Sequence, residues 1–104
     1  MEISFRNKGL QKLCEDHKKL KQKYGEMQSL RVIQRINELA AAESLYDISR
    51  LPQTRLHALA GNRKGEYAVD IVHPYRIILY PSNGEKGDLK SMTAAVLLGI
   101  ADYH

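Results

Sequence analysis

The stretch KGLQKLCEDHKKLKQKYGEMQSLRVIQRINELAAA, residues 8–42, decides the fold. Apolar residues recur in it at steps of three and four, the spacing that places them on one face of a helix. Gly25 stands between two such segments and is typical of a helix end. We therefore expect helices over residues 8–24 and 26–42. Because the link between them is short, they should form an antiparallel hairpin.

The sequence on either side of this hairpin has β character. Residues 2–6 alternate between apolar and polar and predict a short strand. After a less regular segment that ends at Pro52, we expect strands over residues 55–59, 67–72, 76–80 and 92–102, with Gly99 as a bulge or close-contact point. The order predicts one α+β domain over residues 1–104. In it, an N-terminal strand and an antiparallel helical hairpin pack on an antiparallel sheet.

Composition limits the classes of partner and the cellular location. The 104 residues carry a formal net charge of +4 and a sequence pI near 9.3, which favours RNA, DNA or an acidic protein as partner. Cys14 is the only cysteine and has helical spacing with Leu10 and Leu13, so we expect a buried, inert thiol and no disulfide. No segment resembles a signal peptide or a membrane span, and a cytoplasmic protein is expected.

Several side chains in the second half of the sequence are able to transfer protons or bind phosphate. His57 lies in an alternating segment, and the sequence ends with Asp102, Tyr103 and His104. The basic residues predicted to form a surface suited to phosphate oxygens are Arg55, Arg63, Lys64 and Arg76. Histidines and arginines in this set suit metal-free RNA cleavage, in which imidazoles move protons and arginine stabilises the phosphorane.

Two other interpretations of the same residues stay open. The set also suits binding of a polyanion without turnover. A zinc site made of His57, Asp102 and His104 is disfavoured, because their spacing matches no known ligand pattern. No cofactor is expected.

Three segments together resemble one protein family. The run LHALAGNRKGEY at residues 56–67, Tyr75-Arg76-Ile77, and the final Asp102-Tyr103-His104 resemble the HigB branch of the RelE/ParE toxin superfamily, also described as plasmid maintenance killer proteins. The opening residues 3–10 are similar to that branch as well. The resemblance implies a RelE-like fold and the toxin of a type II toxin–antitoxin system. Such toxins are ribosome-dependent endoribonucleases (mRNA interferases) that cleave mRNA in the ribosomal A site and inhibit translation.

The resemblance also implies site residues and partners. By match, the catalytic residues are His57, Arg76, Asp102, Tyr103 and His104, and Arg63 at the hairpin tip binds RNA. The sequence leaves open which of His57 and His104 is acid or base. The implied partners are a helix-turn-helix antitoxin of HigA type, with which the toxin forms a hetero-oligomer, and the ribosome with its 16S rRNA and mRNA.

One departure from the family keeps one alternative open, and the fold shared with ParE relatives keeps another. Members of the branch carry lysine directly before the glycine of the Leu-His block, where this chain has Ala60. If that lysine binds phosphate, Lys64 or Arg55 takes its place, or the chain is an inactive relative that binds only its antitoxin or RNA. The other alternative is a ParE-like toxin that acts on DNA gyrase without nuclease chemistry.

Overall fold

The computed structural model of the protein describes residues 1–102 and has the predicted α+β architecture. In chain order its elements are β1 (Glu2–Phe5), α1 (Lys8–Cys14), α2 (His17–Tyr24), α3 (Glu26–Ala41), α4 (Leu45–Ser49), β2 (His57–Ala58), β3 (Tyr67–Asp70), β4 (Tyr75–Pro81) and β5 (Ala94–Asp102). Within this part of the chain, no helix is both long enough and apolar enough to cross a bilayer.

The strands form one five-stranded sheet in the order β1-β5-β4-β3-β2. Strands β2 to β5 are antiparallel neighbours, as the turn-rich connections between them predict. β1 joins the other edge of β5 in parallel orientation, with Ile3 opposite Ala95. A parallel pair needs a long crossover connection, and here the helices and the antiparallel strands together supply it.

The first helix differs from the sequence-based expectation. Instead of one helix over residues 8–24, α1 ends at Cys14 and α2 starts at His17. Asp16 has extended backbone angles, and its side chain accepts a hydrogen bond of 3.2 Å from the backbone N–H of Lys19, so it caps a new helix. Leu20 in α2 is nevertheless part of the same core as Cys14, so the break preserves the apolar face.

The hairpin itself is confirmed between α2 and α3. Gly25 alone links them and has a φ of 87°, a conformation that suits glycine. The segment expected to be irregular contains the short helix α4, which Ser44 caps by accepting a hydrogen bond from the N–H of Tyr46.

The two faces of the sheet have different environments. The helices cover one face, where the main core includes Leu20, Val32, Leu39, Val69, Ile77, Leu79 and Leu97. We call the other side the distal face. It is defined by residues that the strand register and side-chain alternation place together, namely His57, Ala68, Asp70, Arg76, Ile78 and Ala101. Ala68 and Ile78 form a small second apolar cluster with Leu59.

Polar side chains of α3 fix the strand ends that carry the distal face. Arg35 is 2% exposed and donates from Nε to the Asp70 carbonyl (2.7 Å) and from Nη2 to the Gln53 carbonyl (2.8 Å). Gln28 bonds both the N–H and the carbonyl of Val72, at 2.7 and 3.0 Å. Backbone groups of Gln53 before β2, of Asp70 at the end of β3 and of Val72 after it are thereby paired with a helix on the opposite side of the sheet.

Candidate active site on the distal face

His57 and Arg76, both predicted from the sequence as functional residues, are in contact. Nη1 of Arg76 lies 3.2 Å from Nε2 of His57. His57 belongs to β2 and Arg76 to β4, and β3 lies between these strands. At that position β3 presents the small side chain of Ala68, directly opposite His57 in the register. The small residue leaves room for the two long side chains to meet above the sheet.

The hydrogen bonds of His57 define its tautomer. Nδ1 of the ring lies 2.7 Å from the carbonyl oxygen of Arg55, which can only accept a hydrogen bond. The guanidinium of Arg76 can only donate, so Nε2 must offer a lone pair. Both contacts are satisfied when the ring is neutral and carries its proton on Nδ1. In this arrangement the lone pair of Nε2 is occupied by Arg76.

Asp70 connects the two arginines that flank His57. Its Oδ2 lies 3.2 Å from Nε of Arg55, and its Oδ1 lies 3.2 Å from Nε of Arg76. Asp70 and Arg76 are directly opposite each other in the register, so they form a cross-strand ion pair. Oδ1 is buried and accepts no hydrogen bond within residues 1–102. Its contact with Arg76 is therefore electrostatic, because the Nε–H is not directed at it.

Arg55 has a backbone conformation that the sequence did not predict. The expected strand over residues 55–59 is reduced to His57–Ala58, and Arg55 has a φ of 46° in the left-handed region. This turn follows a single 3₁₀ turn at Pro52–Thr54. It directs the Arg55 carbonyl to His57 while the exposed side chain of Arg55 reaches Asp70. The strand prediction was wrong here because a turn, rather than sheet pairing, satisfies the backbone.

A second basic group lies further along the distal face. Arg6 and Arg63 line a pocket of about 80 Å³ together with Ile78 and the bulged residues Leu98 and Gly99 of β5. Nη1 of Arg63 also forms an ion pair of 2.7 Å with Glu66. The bulge in β5 falls at Leu98 and Gly99, where the sequence predicted a bulge or close contact at Gly99.

The remaining predicted residues are distributed differently. Lys64 is exposed and directly follows Arg63 in the connection between β2 and β3. Asp102 is the exposed last residue of β5 and pairs with Tyr75, whereas its neighbour Ala101 pairs with Arg76. Side-chain alternation therefore places Asp102 on the helix-covered side, away from Arg76. Tyr103 and His104 lie outside the described residues.

Two residues of the site, Asp70 and Arg6, were not found from the sequence. Asp70 ends an apolar strand, and aspartate at such a position is typical of a turn. Arg6 follows β1, which is far in sequence from the other site residues. A pairing of opposite charges across a predicted Asp70–Arg76 hairpin was the one available signal for Asp70.

The described residues contain no group of three or more histidine, cysteine, aspartate or glutamate side chains arranged to hold a metal ion. Among these residues, the chemistry on the distal face is that of an imidazole, a carboxylate and several guanidinium groups.

Comparison with known proteins identifies the fold. No protein-family model and no curated protein matches the chain. Its structure is similar to that of the YoeB/ParE toxin from Agrobacterium tumefaciens, with a TM-score of 0.55 over 100% of both chains and 15% sequence identity. The chain has the RelE/ParE toxin fold. At this identity the likeness establishes the architecture, and the HigB branch stays a prediction.

Proposed function

We propose that the chain is the toxin of a type II toxin–antitoxin system and cleaves mRNA in the ribosomal A site. The observation that carries the proposal is the contact between His57 and Arg76, which the fold assembles from two non-adjacent strands. The similarity to a solved structure described as a toxin supports the same conclusion. The resemblance of three sequence segments to the HigB branch supplies the substrate class.

RNA cleavage of this kind needs a base, an acid and a charge-stabilising group. The base removes the 2′-hydroxyl proton, the 2′-oxygen forms a bond to phosphorus, and the bond to the 5′-oxygen breaks as the acid protonates it. The tautomer of His57 favours the base role. Its Nε2 offers a lone pair, whereas an acid would need a proton at Nε2, where Arg76 also points a donor.

The acid and the second phosphate contact come from other parts of the chain. We propose that His104 protonates the leaving oxygen and that Tyr103 orients the nucleotide. Asp102, which the strand register places on the helix-covered side, would orient His104 rather than contact the RNA. Ala101 lies opposite Arg76 in the register, so the described part of β5 ends beside the site. Arg76 would stabilise the phosphorane, while Arg63 and Arg6 bind a flanking phosphate in their shared pocket. Arg55 and Lys64, both exposed, would add positive charge at the edge of the proposed RNA-binding surface.

The partners follow from the same proposal. The ribosome, through its 16S rRNA, would position the mRNA on the distal face and supply orientation that the isolated protein lacks. A helix-turn-helix antitoxin of HigA type would bind the toxin in the cytoplasm and neutralise it as a hetero-oligomer.

The test is cleavage of a defined mRNA, mapped by primer extension, with and without programmed ribosomes. Wild-type protein should cut at the A-site codon only when ribosomes are present, and Arg76→Ala should not cut. Lys19→Ala, which removes an exposed cation from α2, is the matched control and should cut normally. Intact mRNA under all conditions would overturn the proposal. DNA damage signalling after induction would then favour the gyrase alternative.

A further inference from the structure

Asp70 completes a closed ring of contacts around His57. The Asp70 carboxylate contacts the side chains of Arg55 and Arg76, each at 3.2 Å. Arg76 contacts Nε2 of His57, and the Arg55 carbonyl accepts a hydrogen bond from Nδ1 of the same ring. The four residues therefore restrain one another, and each nitrogen of the His57 imidazole contacts one of the other three residues.

The backbone of Asp70 is itself held by a residue from the helix-covered side of the sheet. Its carbonyl accepts a hydrogen bond of 2.7 Å from the buried Arg35. Its side chain is 23% exposed, between the Arg55 and Arg76 side chains. A carboxylate held in this way restricts both guanidinium groups, and Arg76 is the one that occupies Nε2 of His57.

We infer that Asp70 is a positioning residue that holds Arg76 on Nε2 of His57, and that an RNA phosphate releases this contact by binding Arg76. The inference rests on the proposed function, because the phosphate is that of the RNA substrate. A phosphate oxygen is a strong acceptor for guanidinium N–H groups and competes with the neutral ring nitrogen. Once Arg76 has turned to the phosphate, the lone pair of Nε2 is available for the 2′-hydroxyl proton.

This arrangement couples binding to chemistry. Without RNA, the base of the site is blocked by the residue that later stabilises the phosphorane. With RNA, the same guanidinium moves to the phosphate and the base is exposed. Oδ1 of Asp70, which accepts no hydrogen bond from the described residues, stays in place to orient the Nε side of Arg76.

The first experiment measures the tautomer of His57 by nitrogen-15 NMR at pH 8, without ribosomes. Wild-type protein should show the proton on Nδ1, and Asp70→Asn should shift the population toward a proton on Nε2. Glu66→Gln is the matched control, because it removes a carboxylate that pairs with Arg63 and does not belong to the four residues around His57. Its His57 signals should match those of the wild type. A wild-type ring with its proton on Nε2 would overturn the inference.

The second experiment adds a single-stranded 2′-deoxy oligonucleotide, which supplies phosphates and cannot be cleaved by 2′-hydroxyl attack. The Nε2 signal of His57 should change in the wild type as Arg76 leaves it. An unchanged Nε2 signal at saturating oligonucleotide would overturn the release step. These readouts do not depend on turnover, so they distinguish failure of this inference from failure of the proposed nuclease function.

Kinetics with programmed ribosomes separate positioning from simple charge screening. Asp70→Asn should lower kcat about 10- to 100-fold, the range for a misplaced catalytic group, while KM stays equal or falls because a negative charge is lost. A lower KM with unchanged kcat would show that Asp70 only screens charge, and would contradict the positioning role.

Discussion

Arg76 Nη1 lies 3.2 Å from His57 Nε2, although the strands that carry these residues are separated by β3. The contact is possible because Ala68, the residue of β3 opposite His57, has a small side chain. It assigns the proton of the ring to Nδ1 and makes His57 better suited to accept a proton than to donate one.

We expect His57→Ala to lower the rate of ribosome-dependent mRNA cleavage by about 10²-fold or more, because the substitution removes the group that we propose as the proton acceptor. The rate is measured under single-turnover conditions by primer extension. His17→Ala is the control, since His17 is half exposed in α2 and pairs at 3.7 Å with Glu26. A loss of only a few-fold for His57→Ala would move this residue to a binding role.

Arg6→Ala should weaken binding of a labelled single-stranded 2′-deoxy oligonucleotide, because Arg6 lines the pocket that we assign to a flanking phosphate. The slope of log affinity against log salt concentration should become shallower by about 0.7, the contribution of one single-strand phosphate contact. Fluorescence anisotropy at several salt concentrations measures both quantities. Lys19→Ala should leave the slope unchanged, and equal effects of the two substitutions would argue against a specific pocket.

Arg35→Met should lower the free energy of unfolding by about 3–5 kcal/mol, the typical cost of breaking a buried ion pair. The substitution leaves the carbonyls of Asp70 and Gln53 without their donor and removes the 3.0 Å pair with Glu38. Urea denaturation measures the change. Arg50→Met, at an exposed position, should have little effect, and a small effect of both would show that the Arg35 contacts contribute little net stability.

Local patterns in the sequence were sufficient for most of the fold. The helical spacing and Gly25 predicted the hairpin, and alternation predicted the antiparallel strands, because both signals act over a few residues. The parallel pairing of Ile3 with Ala95 was beyond such patterns, since it joins opposite ends of the chain. The break at Asp16 was missed because the apolar spacing continues across the cap.

The candidate site was predicted in part. His57, Arg76 and Arg63 were identified as residues able to carry chemistry, and the structure places all three on the distal face. The left-handed turn at Arg55 ends a 3₁₀ turn outside the sheet, and a non-glycine residue gives no local signal for it. The central position of Asp70 depends on strand register, which one sequence does not specify. The catalytic roles of Asp102, Tyr103 and His104 stay predictions.

Gly25→Ala should lower the free energy of unfolding by about 1–3 kcal/mol through backbone strain alone. The backbone of Gly25 has φ 87° and ψ 169°, and a Cβ there would meet no atom within 4 Å. Gly99→Ala is a matched control, because its Cβ also meets nothing within 4 Å while its φ lies outside the positive region. Urea denaturation should show a smaller loss for Gly99→Ala. Equal losses would contradict the assignment of strain to Gly25.

The buried thiol of Cys14 should make stability depend on pH in the alkaline range. Burial, with a smaller effect from Glu15, raises the pKa of the Cys14 thiol to about 11 from an ordinary value of 9.0. Below pH 9 the thiol is protonated in both states, so its contribution to stability is fully present. Between pH 9 and 11 the unfolded chain loses this proton while the folded protein keeps it, so the free energy of unfolding falls.

The difference between the two pKa values of Cys14 corresponds to a loss of about 2–3 kcal/mol in the free energy of unfolding between pH 9 and 11. Burial, with smaller effects from Cys14 and Tyr75, also raises the pKa of Tyr24, so Tyr24 lowers the free energy of unfolding at alkaline pH as well. Comparison with a variant that lacks the thiol separates the contribution of Cys14, including its effect on Tyr24. Cys14→Ala removes the thiol, and any cavity it leaves costs the same at every pH. The wild-type and Cys14→Ala curves from urea denaturation should therefore converge as the pH rises from 9 to 11. Parallel curves would show that the thiol ionises equally in the folded and unfolded chains.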